Sequence, residues 1–390
     1  MSKDIDSTAY VEACTLKSGH CDSINALTFS PDGTRLASGG DDCTVMLWDV
    51  NRGESLFRIL LKSPVSCILW HPIHVNTLIV GCDDGRIFQL QGFTLENMEQ
   101  HDVRIGVRSE VHCLAYNVDM RYLAIGIGEE VHVTRERHNP DEYGGDLMLP
   151  PPGPERESLA SEERLRAVSV HFVSNGSQLI SSYLSHGIVC YDVKSRKSLW
   201  VITPPAATPN IGSSALSSDG SRLAVYNVAT GVDLYPLARR KKPIARYPLE
   251  KPPISKHRVQ VVYIQGDRGI VCGSTDGNVH VWNRASGDLF QILPHDGECH
   301  KLVSSAERAR YSYIATGTVE KGHSSIIKIW RAKTSESHRI IGESPLTLYI
   351  EGEEQGQPTT LTDAVVDFVE NVTVWIGLVG LVAMANNHPY

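Results

Sequence analysis

No two of the nine cysteines form a CxxC pair, and their odd number and wide scatter from Cys14 to Cys299 offer neither a zinc site nor a disulfide framework. No apolar run opens the chain. The stretch MSKDIDSTAYVEAC cannot act as a secretory signal, so a reducing cytosolic or nuclear compartment is expected. The Asn-x-Ser/Thr matches at Asn175 and Asn371 are for that reason not read as glycosylation sites. A basic surplus is missing too: the net charge is -8 and the pI near 6.1, which disfavours a dedicated nucleic-acid binder. Sixteen histidines occur without an HxH or HExxH spacing. The phosphate loop GxxxxGK(S/T) is absent, and Gly126-Ile127-Gly128 has Val131 where a GxGxxG would carry its third glycine. These absences predict no catalytic residue, no cofactor and no metal site.

What the chain does contain is a repeat, best preserved between Gly19 and Asp49. Asn25 to Phe29 alternates outward and inward, Ser30-Pro31-Asp32-Gly33 is a turn with proline second, and Arg35 to Ser38 and Thr44 to Trp48 resume the alternation. Three short strands cannot bury their own faces, so their partners must lie elsewhere in the chain. Gly-His opens the unit, Ser-Pro-Asp-Gly turns it and Trp-Asp closes it; in this it resembles one WD repeat, the unit of a β-propeller blade. The resemblance implies a hydrogen-bonded set of His20, Ser38, Asp42 and Trp48. A buried aspartate needs donors, which imidazole and backbone N–H groups supply. A His-Ser-Asp trio also suggests a hydrolase triad, but in the resembled fold these residues are interior struts without an oxyanion hole.

With Trp48 as the ruler, the closing position recurs at Leu90, Thr134, Tyr191, Tyr235, Trp282 and Trp330, at intervals of 42 to 57 residues. The usual blade period is about 40 to 45. An all-β, seven-bladed β-propeller over residues 10–335 is expected. Asp84 and Asp276 stand six residues before Leu90 and Trp282, as Asp42 stands before Trp48, and Tyr191 and Trp330 mark blades four and seven. No later copy carries all four polar residues; blade six has Cys272 at the serine place. His71 and His74 fall in a blade turn.

Each blade also needs an outer fourth strand, such as Ser55 to Leu61 after blade one. Closing the ring requires one more, since closure removes the open sheet edges. Tyr10 to Leu16 suits that role on the last blade, with Ser337 to Ile341 as the competing choice, and residues 1–9 are expected to be disordered. Two insertions interrupt the rhythm. Residues 135–166 centre on Pro150-Pro151-Pro152-Gly153-Pro154, which cannot sit in a sheet ladder and reads as an exposed excursion. Residues 238–258 are basic, with Arg239, Arg240, Lys241 and Lys242 in a row. That run admits three readings: a solvated interblade loop, a nuclear-import-like cluster, or an anionic lipid site.

Beyond the repeats, 336–362 reads as a linker and 363–390 as a hydrophobic segment whose Val372–Ala385 core carries no charge. That core falls short of the roughly 20 residues that span a bilayer, and extending it backward takes in Asp367 and Glu370. A docking or disordered segment and a tail-type membrane anchor both remain open. A propeller of the resembled family is usually a rigid, non-catalytic platform. The expected function is therefore a protein-interaction scaffold, monomeric by itself, with protein or peptide partners on the propeller faces; the alternative is a membrane-associated protein held by 363–390 or the basic loop.

Overall fold

The computed structural model describes residues 5, 7–17, 19–93, 98–137, 142–153, 165–204, 210–238, 242–249, 259–295, 300–318 and 325–334. After β1 (Val11–Leu16), the strands run in consecutive groups. Blade one is β2 (Ile24–Phe29), β3 (Arg35–Gly40), β4 (Thr44–Asp49) and β5 (Glu54–Leu60). Blade two is β6 (Val65–Trp70), β7 (Thr77–Cys82), β8 (Ile87–Gln91) and β9 (Glu99–Asp102), and blade three is β10 (Val111–Asn117), β11 (Tyr122–Ile127), β12 (Glu130–Glu136) and β13 (Tyr143–Met148). Blade four follows with β14 (Ala167–Val173), β15 (Gln178–Tyr183), β16 (Gly187–Asp192) and β17 (Ser198–Ile202). Blade five holds β18 (Ile211–Leu216), β19 (Arg222–Asn227), β20 (Gly231–Pro236) and β21 (Ala245–Tyr247). Blade six holds β22 (Val261–Ile264), β23 (Gly269–Cys272), β24 (Asn278–Asn283) and β25 (Leu289–Pro294). Blade seven supplies β26 (His300–Arg308), β27 (Tyr311–Thr318) and β28 (Ile327–Lys333), and β1 completes it in the order β1-β28-β27-β26.

The result is a seven-bladed β-propeller in which inner strands β2, β6, β10, β14, β18, β22 and β26 neighbour one another in a closed cycle. Every expected closing residue lies on the third strand of its blade. The core is divided the same way. Seven apolar clusters each join one blade to the next, from Leu16, Trp48 and Ile329 between blades seven and one to Val279, Ile314 and Trp330 between six and seven. Each fully buried Leu, Ile or Val in them stabilises the fold by about 1.5–3 kcal/mol.

Turn chemistry repeats between blades. Gly33 at φ +66° donates its N–H to Ser30 O while Ser30 Oγ donates to Asp32; in blade five Gly220 donates to Ser217 O and Ser217 Oγ to Asp219. The left-handed φ is the reason glycine ends the Ser-Pro-Asp-Gly turn.

Three expectations need correction. Residues 135–166 do not form an excursion throughout, because Tyr143–Met148 is the outer strand of blade three; likewise 238–258 contains β21, the outer strand of blade five. Both strands escape sequence reading because an outer strand buries little and needs no apolar alternation: β13 reads YGGDLM and β21 has three residues. Within 1–9, the described residues are held rather than disordered. Ser7 bridges Thr334, Thr8 N–H donates to Lys333 O and Ile5 packs with the cluster between blades six and seven. Ser337–Ile341, like all of 335–390, lies outside the described residues.

The closing strand is fastened at Tyr10. Its backbone exchanges two hydrogen bonds with the Gln291 amide of β25, at 2.7 and 2.8 Å, and its hydroxyl meets Ser312 Oγ at 2.8 Å and accepts from Gln265 Nε2 at 3.1 Å. Tyr10→Phe should cost about 1 kcal/mol through the lost hydroxyl bonds and Tyr10→Ala about 3–5 kcal/mol through the cavity it leaves. Chemical denaturation checks the order; equal midpoints for wild type and both variants would refute the role given to this residue.

Candidate functional site

Blade one brings His20, Ser38, Asp42 and Trp48 together. Trp48 Nε1–H donates to Ser38 Oγ at 2.9 Å, Ser38 Oγ lies 2.8 Å from His20 Nε2, and His20 Nδ1 lies 3.0 Å from Asp42 Oδ1. With the indole N–H already on Ser38 Oγ, the serine proton is left for Nε2, and Nδ1–H then donates to the carboxylate. Every member is satisfied in that arrangement. Cys21 N–H and Thr44 Oγ1–H complete the shell around Asp42 at 3.0 and 2.7 Å. Burial alone would raise the Asp42 pKa, but the bonds from His20, Thr44 and Cys21 outweigh it and hold the carboxyl well below its usual range. Gly19 is part of the set: a Cβ there would lie 2.3 Å from Trp48 Cη2, so only glycine admits the indole. Ser38 has no exposed surface, which makes this a strut and not a nucleophile.

The other markers do not rebuild that set. Asp84 forms a half-exposed pair with Arg86, with Nε to Oδ2 at 2.7 Å. Asp276 accepts from Ser274 Oγ, and Trp282 stacks on His280 with centroids 5.5 Å apart. Tyr191 shares a hydroxyl contact of 3.2 Å with Tyr183. Trp330 donates Nε1–H to Thr316 Oγ1 at 3.0 Å, a partner that sequence reading missed. The signal lay in the register. Ser38 pairs with Met46, two residues before Trp48, and Thr316 pairs with Lys328, two before Trp330. Of the basic run, Lys242 is described and exposed, whereas Arg239, Arg240 and Lys241 lie outside the described residues together with 363–390. Among the described residues no helix is long and apolar enough to cross a membrane.

A second buried polar centre, absent from the sequence reading, joins blades two and three. The fully buried Glu136, at the end of β12, faces His74 Nε2 at 2.8 Å, His71 Nε2 at 3.4 Å and Arg121 Nε at 3.5 Å, and accepts from Tyr116 Oη. His71, His74 and Glu136 offer ligand atoms within 4.8 Å of one another, the composition of a metal site. Its chemistry does not fit well. His71 Nδ1 accepts the backbone N–H groups of Ile73 and His74 at 3.2 and 3.1 Å, which puts the neutral imidazole's proton on Nε2, the atom a metal would need. The second carboxylate oxygen is taken by Tyr116 and Arg121. Glu136 acts as a clamp between the β6–β7 turn and blade three.

The inner strands enclose a central channel of about 670 Å³. In six blades the pairing of inner and second strands slips near the start of the inner strand, leaving an extra residue: Asn25, Ser66, His112, Val168 and Gly212 in blades one to five, each of which lines the channel. A bulge re-aims the side chain it frees. Asp41, Asp83 and Glu110 stand at the same end, where the inner strands begin.

Comparison with known proteins gives a family-model match, described as WD domain, G-beta repeat, over residues 12–49, which are β1 and the first three strands of blade one. The chain is 38% identical over 69 residues to Ribosome biogenesis protein bop1-B of Xenopus laevis, covering 18% of this chain and 10% of that protein. It is 34% identical over 101 residues to Small ribosomal subunit protein RACK1 of Schizosaccharomyces pombe, covering 25% and 32%. With MST50-interacting protein 11 of Pyricularia oryzae it shares 28% over 128 residues, covering 31% and 40%. The chain thus spans between a tenth and two fifths of the length of these relatives.

Two outcomes test the geometry. Asp42→Ala leaves His20, Thr44 and Cys21 without their acceptor and should cost about 1–3 kcal/mol, whereas Asp84→Ala, removing a surface pair, should cost under about 1 kcal/mol. Urea denaturation of both variants decides, and equal losses would deny blade one its special role. Burial lowers the His71 pKa from 6.5 to about 4, against the opposing pull of Glu136. The folded pKa is below the unfolded one, so this contribution is fully present above about pH 6.5 and lost as pH falls toward 4. By pH 5.5 the loss is roughly 1 kcal/mol, and His71→Gln should flatten that slope; thermal melts across pH 5 to 8 measure it.

Proposed function

We propose that this chain, a WD-repeat β-propeller of seven blades, is a non-catalytic protein-interaction scaffold that presents its blade-connecting loops to members of a multiprotein complex. The observation that carries the reading is the closed ring. With β1 paired to β28 the sheet of blade seven is completed by the chain's own N-terminal strand, and the loops at both ends are set on a frame buried at every blade junction. Loops held by a rigid frame are the usual place for recognition. The described polar clusters are consumed internally: the blade-one set supports Trp48, and Glu136 ties two blades together. Two relatives are named as ribosomal or ribosome-biogenesis proteins and another as an interacting protein, which agrees with a life in assemblies. A monomer by itself in the cytoplasm or nucleus, without nucleic acid as a direct ligand, belongs to the same reading.

Affinity purification of the tagged full chain from its native cell, followed by cross-linking mass spectrometry, tests this. We expect stoichiometric partners whose cross-links fall on the blade-connecting loops. Recovery of the chain alone, with no partner above the level of a tag control, would overturn the scaffold reading.

A further inference from the structure

We infer that the channel mouth at blades one to three binds the cationic side chains of an extended lysine- or arginine-rich segment of a partner protein, an inference that rests on the scaffold reading and gives its partner a chemistry. The carboxylates are supplied by the fold in a regular way. Asp41 and Asp83 occupy equivalent places just after β3 and β7, and the backbone N–H of each donates to the residue just before or near the inner-strand start, Ser23 O at 2.9 Å and Pro64 O at 3.0 Å. Blade three has Gly128 at that place, and there Glu110 stands in, its carbonyl accepting from Gly128 N–H at 2.9 Å. Asn25 holds Asp41 Oδ1 at 2.6 Å and Val65 O at 3.1 Å through the same amide nitrogen, which fixes the Asp41 carboxylate at the junction of blades one and two.

Among the described channel-lining residues, Arg166 is the single arginine or lysine against these three carboxylates, and it is drawn to one side by Glu110 Oε2 at 3.6 Å. Asp83 is exposed. The mouth therefore carries negative charge in a partly enclosed space, where attraction for a cation is screened less than on an open surface.

The second observation is His112. As the extra residue of the β10 bulge it lines the channel, and its side chain is only 3% exposed. Its Nδ1 lies 3.3 Å from Glu110 Oε1 but makes no hydrogen bond there or with any other described residue. A buried polar atom left without a hydrogen bond is costly, and an imidazole nitrogen can accept from an ammonium or guanidinium N–H. Farther along their inner strands, Ile68 and Leu114 also line the channel and suit the aliphatic stem of a lysine or arginine. Phosphate-bearing ligands are repelled by the same charges that would hold the cation.

Fluorescence anisotropy with the full chain decides. The probes are a labelled peptide of alternating lysine or arginine with glycine and serine, and the same peptide with glutamine at each basic position. The basic peptide should bind at least about tenfold tighter, weaken as salt is raised, and lose about tenfold in affinity to Asp83→Asn combined with Glu110→Gln. Asp83→Asn alone, at an exposed side chain, should show a smaller loss with an unchanged melting temperature, which separates binding from folding. Equal binding of both peptides, or unchanged affinity in the folded variants, would each overturn the inference. If the basic peptide fails while loop-directed cross-links to partners persist, this inference falls and the scaffold reading stands; if both fail, both fall.

Discussion

The pairing of β1 with β28 is the constraint on which the molecule depends. Each blade is a twisted four-stranded sheet that cannot hide either face alone, and its apolar side chains are shared with the blades on both sides. A row of such sheets would leave the first and last with a bare face and an open edge. Bringing Val11–Leu16 onto Ile327–Lys333 joins the two ends of the described propeller, and the cluster of Leu16, Ile24, Trp48 and Ile329 forms only when that is done. Sequence-distant contacts such as Tyr10 to Ser312 and Gln265 to Ser7 then lock the seam.

Polar groups in the interior serve that frame in different ways from blade to blade. The second-strand position opposite the residue two before each closing residue is Ser38, Val80, Ile125, Ser181, Val225, Cys272 and Thr316 in turn. Where it holds a hydroxyl beneath a tryptophan, the indole N–H has an acceptor. Where it is apolar, the closing residue is Leu90, Thr134 or Tyr235, none of which brings an indole to satisfy. Donor and acceptor are thus matched in blades one and seven, whereas blade six has Cys272 at that place and the Tyr235 hydroxyl of blade five is buried without a hydrogen-bond partner among the described residues.

Much of the fold was legible in the linear pattern. Third strands such as β4 and β16 announce themselves because they are buried on both faces and keep their apolar runs, whereas β12, EVHVTRE, is found mainly by its place in the period and its alternation; the Ser-Pro-Asp-Gly and Ser-Ser-Asp-Gly turns carry their chemistry in four adjacent residues. The outer strands β13 and β21 were not legible, since they face solvent and bury too little to impose a pattern. Within the site, the His20–Ser38–Asp42–Trp48 set was nameable from a motif confined to one blade, whereas Glu136 with His71, His74, Tyr116 and Arg121 was not, because its members come from two blades 65 residues apart at their extremes.

What the sequence determined by itself is the repeat: period, alternation and turn residues are local properties, set by backbone sterics and the burial of alternate side chains. What only the tertiary structure decided is which polar groups meet across blades. The carboxylates Asp41, Asp83 and Glu110 lie tens of residues apart in the chain and share one mouth because successive blades set the starts of their inner strands side by side. His112 reaches the same channel because a one-residue bulge turns it there, a displacement that depends on the partner strand's register and leaves no mark in composition or spacing.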